Sequence, residues 1–184
     1  MVGRKRSEGG FTMVELVVAC TIVAIVSALS IGSFSRILPQ IRADAGEEVL
    51  LTRLRSIRDA AMTQRVNYRV DFSGPDALVA SHLQNGSPVT KTVTLPYRMQ
   101  FMVFPGLPDT PDGFGSGLAI DFNGGVDSSL IFQGDGSIVD LSGNLVNGTV
   151  FIGITGNAAT ACAVTVLGAT GRIRGYRYDG TRFE

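Results

Sequence analysis

The chain has 184 residues, room for one ordinary domain with a helical extension. Its 16 basic and 16 acidic side chains cancel, which argues against wholesale electrostatic binding to nucleic acid. One histidine, two widely separated cysteines and no tryptophan leave little material for a catalytic or metal centre, while 23 glycines suit a loop-rich β domain.

Residues 1–10 read as a short leader, with Arg4, Lys5 and Arg6 against a single acid, Glu8, so the remainder is net acidic. From Phe11 to Phe34 the sequence is apolar or small apart from Glu15. A run of this length is of bilayer-spanning size, and its basic flank holds the start on the cytoplasmic side. A carboxylate in such a run costs about 2.5–3.5 kcal/mol near mid-bilayer and less near the interface. Glu15 therefore calls for a cation.

The residues Gly10-Phe11-Thr12-Met13-Val14-Glu15-Leu16 resemble the processing site of type IV prepilins and type II secretion pseudopilins. The resemblance implies that a prepilin peptidase cuts between Gly10 and Phe11 and methylates the new Phe11 amine. It also implies that Glu15 pairs with the N-terminal amine of a neighbouring pilin or pseudopilin in a filament. The implied location is the bacterial inner membrane, single-pass, with the N-terminus cytoplasmic and the C-terminal domain periplasmic, before entry into a pilus or pseudopilus. A conventional secretory signal shares the basic start and apolar core, and Val17-Val18-Ala19-Cys20 is a passable lipid-attachment box. Against both, the run opens with a glutamate and continues well beyond Cys20.

The helix of residues 11–35, a transmembrane and filament-core segment, is expected to continue as an amphipathic helix over residues 36–64, with Gly32 and Pro39 as places where it loosens or kinks. Ile41, Ala45, Val49, Leu50, Leu54, Ile57 and Ala61 recur near helical spacing and are the expected core stripe. The arginines from Arg53 to Arg58 suit a solvated face, acidic groups on a neighbouring subunit, or phosphate.

Residues 65–184 read as a β-rich periplasmic domain. Alternation of Val66, Tyr68, Val70 and Phe72 with polar residues predicts a strand. Strands are expected at 77–83, 89–95 and 99–104, joined with the first into one antiparallel meander by turns at Gly74-Pro75-Asp76 and Asn85-Gly86. Residues 105–116 are a proline- and glycine-rich loop, suited to a surface connection or to partner contact at a filament tip. Shorter strands follow at 118–122, 129–132, 137–141, 146–154, 161–167 and 171–178, with a hairpin turn at Asp135-Gly136. The fold class is α+β: a long N-terminal helix packed on antiparallel sheets, pilin-like, as a two-sheet sandwich.

The stretch LIFQGDGSIVDLSG, residues 130–143, and the later Gly171-Arg172-Ile173-Arg174 are similar to the GspH/FimT group of minor pilins and pseudopilins. As a strand, residues 171–178 place Arg172, Arg174, Tyr176 and Tyr178 on one side. In the FimT branch, resemblance makes Arg172 and Arg174 phosphate-binding residues in DNA capture during natural transformation. Two guanidinium groups beside two phenols also suit phosphate and base stacking. The structural alternative pairs these arginines with carboxylates such as Asp179, or packs them on tyrosine.

No catalytic residue, cofactor or metal is expected. His82 has no neighbouring ligand or nucleophile pattern, and there is no glycine-rich phosphate loop. Asp121–Asp127 faintly resembles a calcium loop but has Phe132 where the twelfth-position glutamate belongs. Cys20 and Cys162 are too differently placed for a bridge, and Cys162 reads as a small buried residue.

Overall fold

The computed structural model describes residues 10–84, 86–115, 117–122 and 128–184, and of residues 30–36 and Gln84 the backbone alone. The fold is α+β, with one long helix and two antiparallel sheets. Helix α1 spans Met13–Gln64 and includes Pro39. The chain divides into two compact units at this proline, Met1–Leu38 and Pro39–Glu184.

In the first unit, every described side chain from Phe11 to Leu29 is exposed. Within this unit, the described residues leave the apolar side chains of Val14, Leu16, Val17, Ile22, Ile25 and Leu29 exposed. The expected bilayer segment, 11–35, includes side chains outside the described residues. Among the described residues, no helix is long and apolar enough to cross a membrane.

In the second unit, α1 lays Ala43, Leu50, Leu54, Ile57 and Ala61 into the core. Spacings near three and four keep them on one face. The helix ends where Arg65 takes a left-handed conformation (φ 53) and Val66 N–H bonds to the Ala61 carbonyl at 3.2 Å, a C-terminal capping arrangement. The expected stripe is corrected at its start. Ile41 is 56 % exposed, Ala45 and Val49 are half-buried, and Ala43, Gly46 and Leu51 take the buried places. Ile41, Ala45, Val49, Thr52 and Ser56 instead form a second row at helical spacing on a more exposed side. Glu48, Val49, Thr52, Arg53 and Ser56 line a groove there with Val93.

The first sheet comprises β1 (Tyr68–Ser73), β2 (Ala77–Gln84), β3 (Ser87–Thr94), β6 (Ser129–Phe132) and β7 (Ile138–Val139), in the order β3-β2-β1-β6-β7. The second comprises β4 (Gln100–Phe101), β5 (Ile120–Phe122), β8 (Asn147–Ile154), β9 (Asn157–Leu167) and β10 (Arg172–Arg177). Its order is β10-β9-β8-β4, and β5 pairs with another part of β8. The meander is therefore β1-β2-β3 alone. β4 is two residues long and crosses to the second sheet, where Phe101 pairs with Ile152. Gln84 pairs with Ser87 across the expected two-residue turn, of which Asn85 lies outside the described residues. The Asp135-Gly136 turn joins β6 to β7, with Gly136 at φ 89. Asn123–Asp127, most of the weak calcium-like loop, also lies outside the described residues.

Period-two alternation gives the second sheet two buried faces. Val150, Ile152, Cys162, Val164, Val166 and Ile173 join the helix and the first sheet in the main core. Phe151, Ala161, Ala163, Tyr176 and Phe183 form a separate cluster on the opposite face, covered by Val103, Phe104 and Leu107. The proline- and glycine-rich loop thus packs on the sheet, above a cavity of about 140 Å³.

Candidate assembly and anion-binding sites

The N-terminal site is built from the first helical turn. Leu16 N–H bonds to the Thr12 carbonyl at 3.1 Å, making Thr12 the residue that opens the helix. Thr12 N–H donates to Glu15 Oε2 at 3.4 Å, and Glu15 N–H donates to Thr12 Oγ1 at 3.3 Å. This reciprocal pair is a capping box. It satisfies two backbone donors that a helix start leaves without partners. The Thr-x-x-Glu spacing was legible, but the sequence reading assigned Glu15 and passed over Thr12. Phe11 is 80 % exposed. Among the described residues, a Cβ on Gly10 would meet nothing within 4 Å.

The second site is on β10, the edge strand of the second sheet. Arg172, Arg174 and Tyr176 share its outer side, while Ile173, Gly175 and Arg177 turn toward α1. On the helix side Arg177 pairs with Asp44 at 3.0 Å. A Cβ on Gly175 would collide with Glu47 Oε1, so the missing side chain makes room for that carboxylate. Burial raises the Glu47 pKa, and the Cys162 thiol donates it a hydrogen bond. Burial and the negative charge of Glu47 push the Cys162 thiol up to about 12, leaving it unreactive.

Two arginines of α1, Arg55 and Arg58, meet backbone acceptors. Arg55 Nη2 donates to the Ile173 carbonyl at 3.2 Å. Arg58 donates to the carbonyls of Gly136 at 3.4 Å and Thr170 at 3.1 Å. These bonds occupy acceptors on β10 (Ile173), on the turn before it (Thr170) and on the β6–β7 turn (Gly136), and the one on β10 gives a protection that edge strands need. Gly171, at φ 62, lies where a Cβ would strike the Gly136 carbonyl and the Arg58 side chain. The first glycine of the Gly-Arg-Ile-Arg pattern is therefore a packing requirement. Arg55, Arg58, Asp59, Gly171, Arg172 and Ile173 line a cleft with three guanidinium groups and one carboxylate.

Arg172 has a partner that the sequence did not reveal. Its Nη2 lies 2.7 Å from Asp112 Oδ1, and Asp112 also accepts from Thr165 at 2.6 Å and Tyr176 at 3.0 Å. Burial pushes the Asp112 carboxyl up. The Thr165 and Tyr176 bonds and the charges of Arg172 and Arg174 outweigh that, holding it below the ordinary value. Arg174 is exposed, and its bond with Tyr176 strengthens its hold on its proton. Tyr178 lies beyond the strand, its hydroxyl on the Gly180 carbonyl at 2.8 Å and its ring 5.6 Å from Phe183. Asp179, the carboxylate expected to pair with the arginines, instead accepts from the Thr181 and Arg182 amides, and those bonds bring it down to about 2. His82 stacks on Tyr68 at a centroid distance of 4.3 Å.

Residues 5–31 match the family model described as the prokaryotic N-terminal methylation motif. No curated protein and no solved structure matches the chain.

Proposed function

From the premise that its N-terminal segment is that of the type IV pilin and pseudopilin family, we propose that this chain is a non-enzymatic minor pilin or pseudopilin of the GspH/FimT group. The methylation motif over residues 5–31 supports the pilin-like part of this reading, and the narrower group rests on the resemblance of residues 130–143 and 171–174. Prepilin peptidase would cut between Gly10 and Phe11 and methylate the Phe11 amine. The open space around Gly10 among the described residues supports this, because an enzyme must approach the backbone there.

The first unit then presents apolar side chains that are exposed among the described residues. Such a surface needs lipid or the helices of other subunits. The proposed topology is an inner-membrane precursor with its N-terminus cytoplasmic and its C-terminal domain periplasmic. In the free subunit, Thr12 supplies Glu15 with local hydrogen bonds. In the filament, the carboxylate gains the amine of a neighbouring subunit. In the second unit, the row Ile41, Ala45, Val49, Thr52 and Ser56 offers a further contact surface of its own. Replacing Gly10 with a bulky residue tests the reading: the expected result is an unprocessed precursor of higher mass that does not enter filaments. Normal processing of that variant would count against it.

The cleft lined by Arg55, Arg58 and Arg172 favours a second reading, a DNA-binding minor pilin acting in DNA uptake. Arg172 and Arg174 would hold phosphates, with Arg55 and Arg58 adding local positive charge that the neutral whole chain lacks. A gel-shift assay of full-length protein in detergent tests it. Retardation at low salt that is lost with Arg172→Ala/Arg174→Ala is expected, and no retardation by the wild type removes this reading.

A further inference from the structure

The contacts of Asp112 extend the DNA reading to its regulation. Asp112 sits in the long loop between β4 and β5, and its carboxylate is the point at which β9 and β10 bond to that loop. Thr165 Oγ1 and Tyr176 Oη donate to Oδ2, at 2.6 and 3.0 Å, and Arg172 Nη2 donates to Oδ1 at 2.7 Å. All three donors belong to the sheet, and only the acceptor comes from the loop. The Asp112 side chain is 11 % exposed, against 38 % for Arg172.

Elsewhere the loop is braced locally. Asp109 accepts from the Thr110 and Gly115 amides at 2.6 and 3.1 Å, and Gly113 N–H bonds to the Thr110 carbonyl at 2.9 Å. The turn carrying Asp112 can therefore keep its own hydrogen bonds when it leaves the sheet. What the sheet would lose is one anion for two hydroxyls and a guanidinium, and the apolar cover that Leu107 gives it.

We propose that Thr165, Arg172, Arg174 and Tyr176 form a seat for a phosphodiester, that Asp112 fills this seat in the resting chain, and that nucleic acid takes it by displacing the loop. The proposal rests on the DNA reading above. A phosphate offers the same paired oxygens as a carboxylate to an arginine fork and to hydroxyl donors. Its further oxygens reach for the exposed Arg174, which stands beside Tyr176. With Asp112 in place an arriving phosphate meets a like charge and an engaged Arg172. With Asp112 gone, Arg172 and Arg174 face it relieved of that carboxylate, and Asp59 is the acid left in the adjoining cleft.

The test is fluorescence anisotropy of a labelled DNA oligonucleotide with full-length protein in detergent at low salt. It compares wild type, Asp112→Asn and Asp112→Asn/Arg174→Ala, with inorganic phosphate as a separate titrant and a thermal melt of each variant. Asp112→Asn should bind the oligonucleotide about tenfold more tightly than wild type, and the added Arg174→Ala should cancel the gain. Equal binding by wild type and a folded Asp112→Asn would leave the DNA reading standing and overturn the filled seat. No binding by either would overturn both. A gain for inorganic phosphate without one for the oligonucleotide would overturn the assignment to a phosphodiester. If Asp112→Asn does not fold, amide exchange of the wild type decides. Oligonucleotide saturation should speed exchange of the residue 105–115 amides, and unchanged exchange would overturn the proposal.

Discussion

Thr12 and Glu15 hold each other across the first turn of α1, each side chain accepting the other's backbone N–H. The carboxylate proposed to join neighbouring subunits thus already has a place in the isolated chain. Loss of such a cap costs about 0.5–2 kcal/mol, small beside the loss of the only charge able to pair with an amine in an apolar surround. Glu15→Ala should leave membrane insertion intact and abolish filament incorporation, whereas Thr12→Ala should only reduce it. Fractionation of membrane and sheared-filament pools measures both. Equal incorporation of the Glu15→Ala variant and the wild type would contradict the proposed pairing.

The two apolar rows of α1 have different expected effects. Leu54 is fully buried in the core, so Leu54→Ala should lower stability by about 2–5 kcal/mol, read as a fall in the melting temperature of the detergent-solubilised protein. Val49, in the second row, lines the open groove beside Val93. Val49→Lys should barely move the melting temperature while reducing incorporation. A large loss of stability in Val49→Lys would show that this face serves the subunit's own fold.

Two glycines with positive φ separate conformational strain from crowding. A Cβ at Gly143, φ 87, meets nothing within 4 Å, whereas at Gly171, φ 62, it meets the Gly136 carbonyl and the Arg58 side chain. Gly143→Ala should cost about 1 kcal/mol, the scale of left-handed strain. Gly171→Ala should cost on the order of 4 kcal/mol because backbone and Arg58 must also shift. Comparable melting temperatures for the two variants would contradict the packing role given to Gly171.

Cys162 links Glu47 to alkaline stability. Burial and the Glu47 charge push its folded pKa up to about 12, above the ordinary thiol value of 9.0. A raised folded pKa contributes stability that is complete below about pH 9 and is lost as pH rises through 12. Wild type should therefore destabilise across that window, and Cys162→Ala should lack this limb of the pH profile. In detergent at pH 8, a thiol reagent should spare the buried Cys162. Rapid labelling of Cys162 in folded protein would contradict its placement.

Local signals made the α+β class, the helix end near Gln64 and most strands legible. Hydrophobic period and turn residues act over a few positions, and β1, β2, β6 and β10 fell close to their expected bounds. The sheet to which β4 belongs was not legible, because pairing Phe101 with Ile152 is a choice between distant segments. The start of the core stripe was misread for a related reason. Ile41 and Val49 have the right chemistry and spacing, but Met99 packs where a Cβ on Gly46 would stand, and that contact selects the Ala43–Gly46–Leu50 side. At the candidate sites, Gly10, Phe11 and Glu15 follow from a contiguous motif. Asp112 lies 60 positions from Arg172, and no local pattern marks it as a partner.

The central claim is that the working chain begins at Phe11, and mass spectrometry of the N-terminal peptide from filament-incorporated protein tests it most directly. The account predicts an N-methylated Phe11 with residues 1–10 absent. A chain retaining Gly10, or one beginning at Cys20 or beyond, would contradict it.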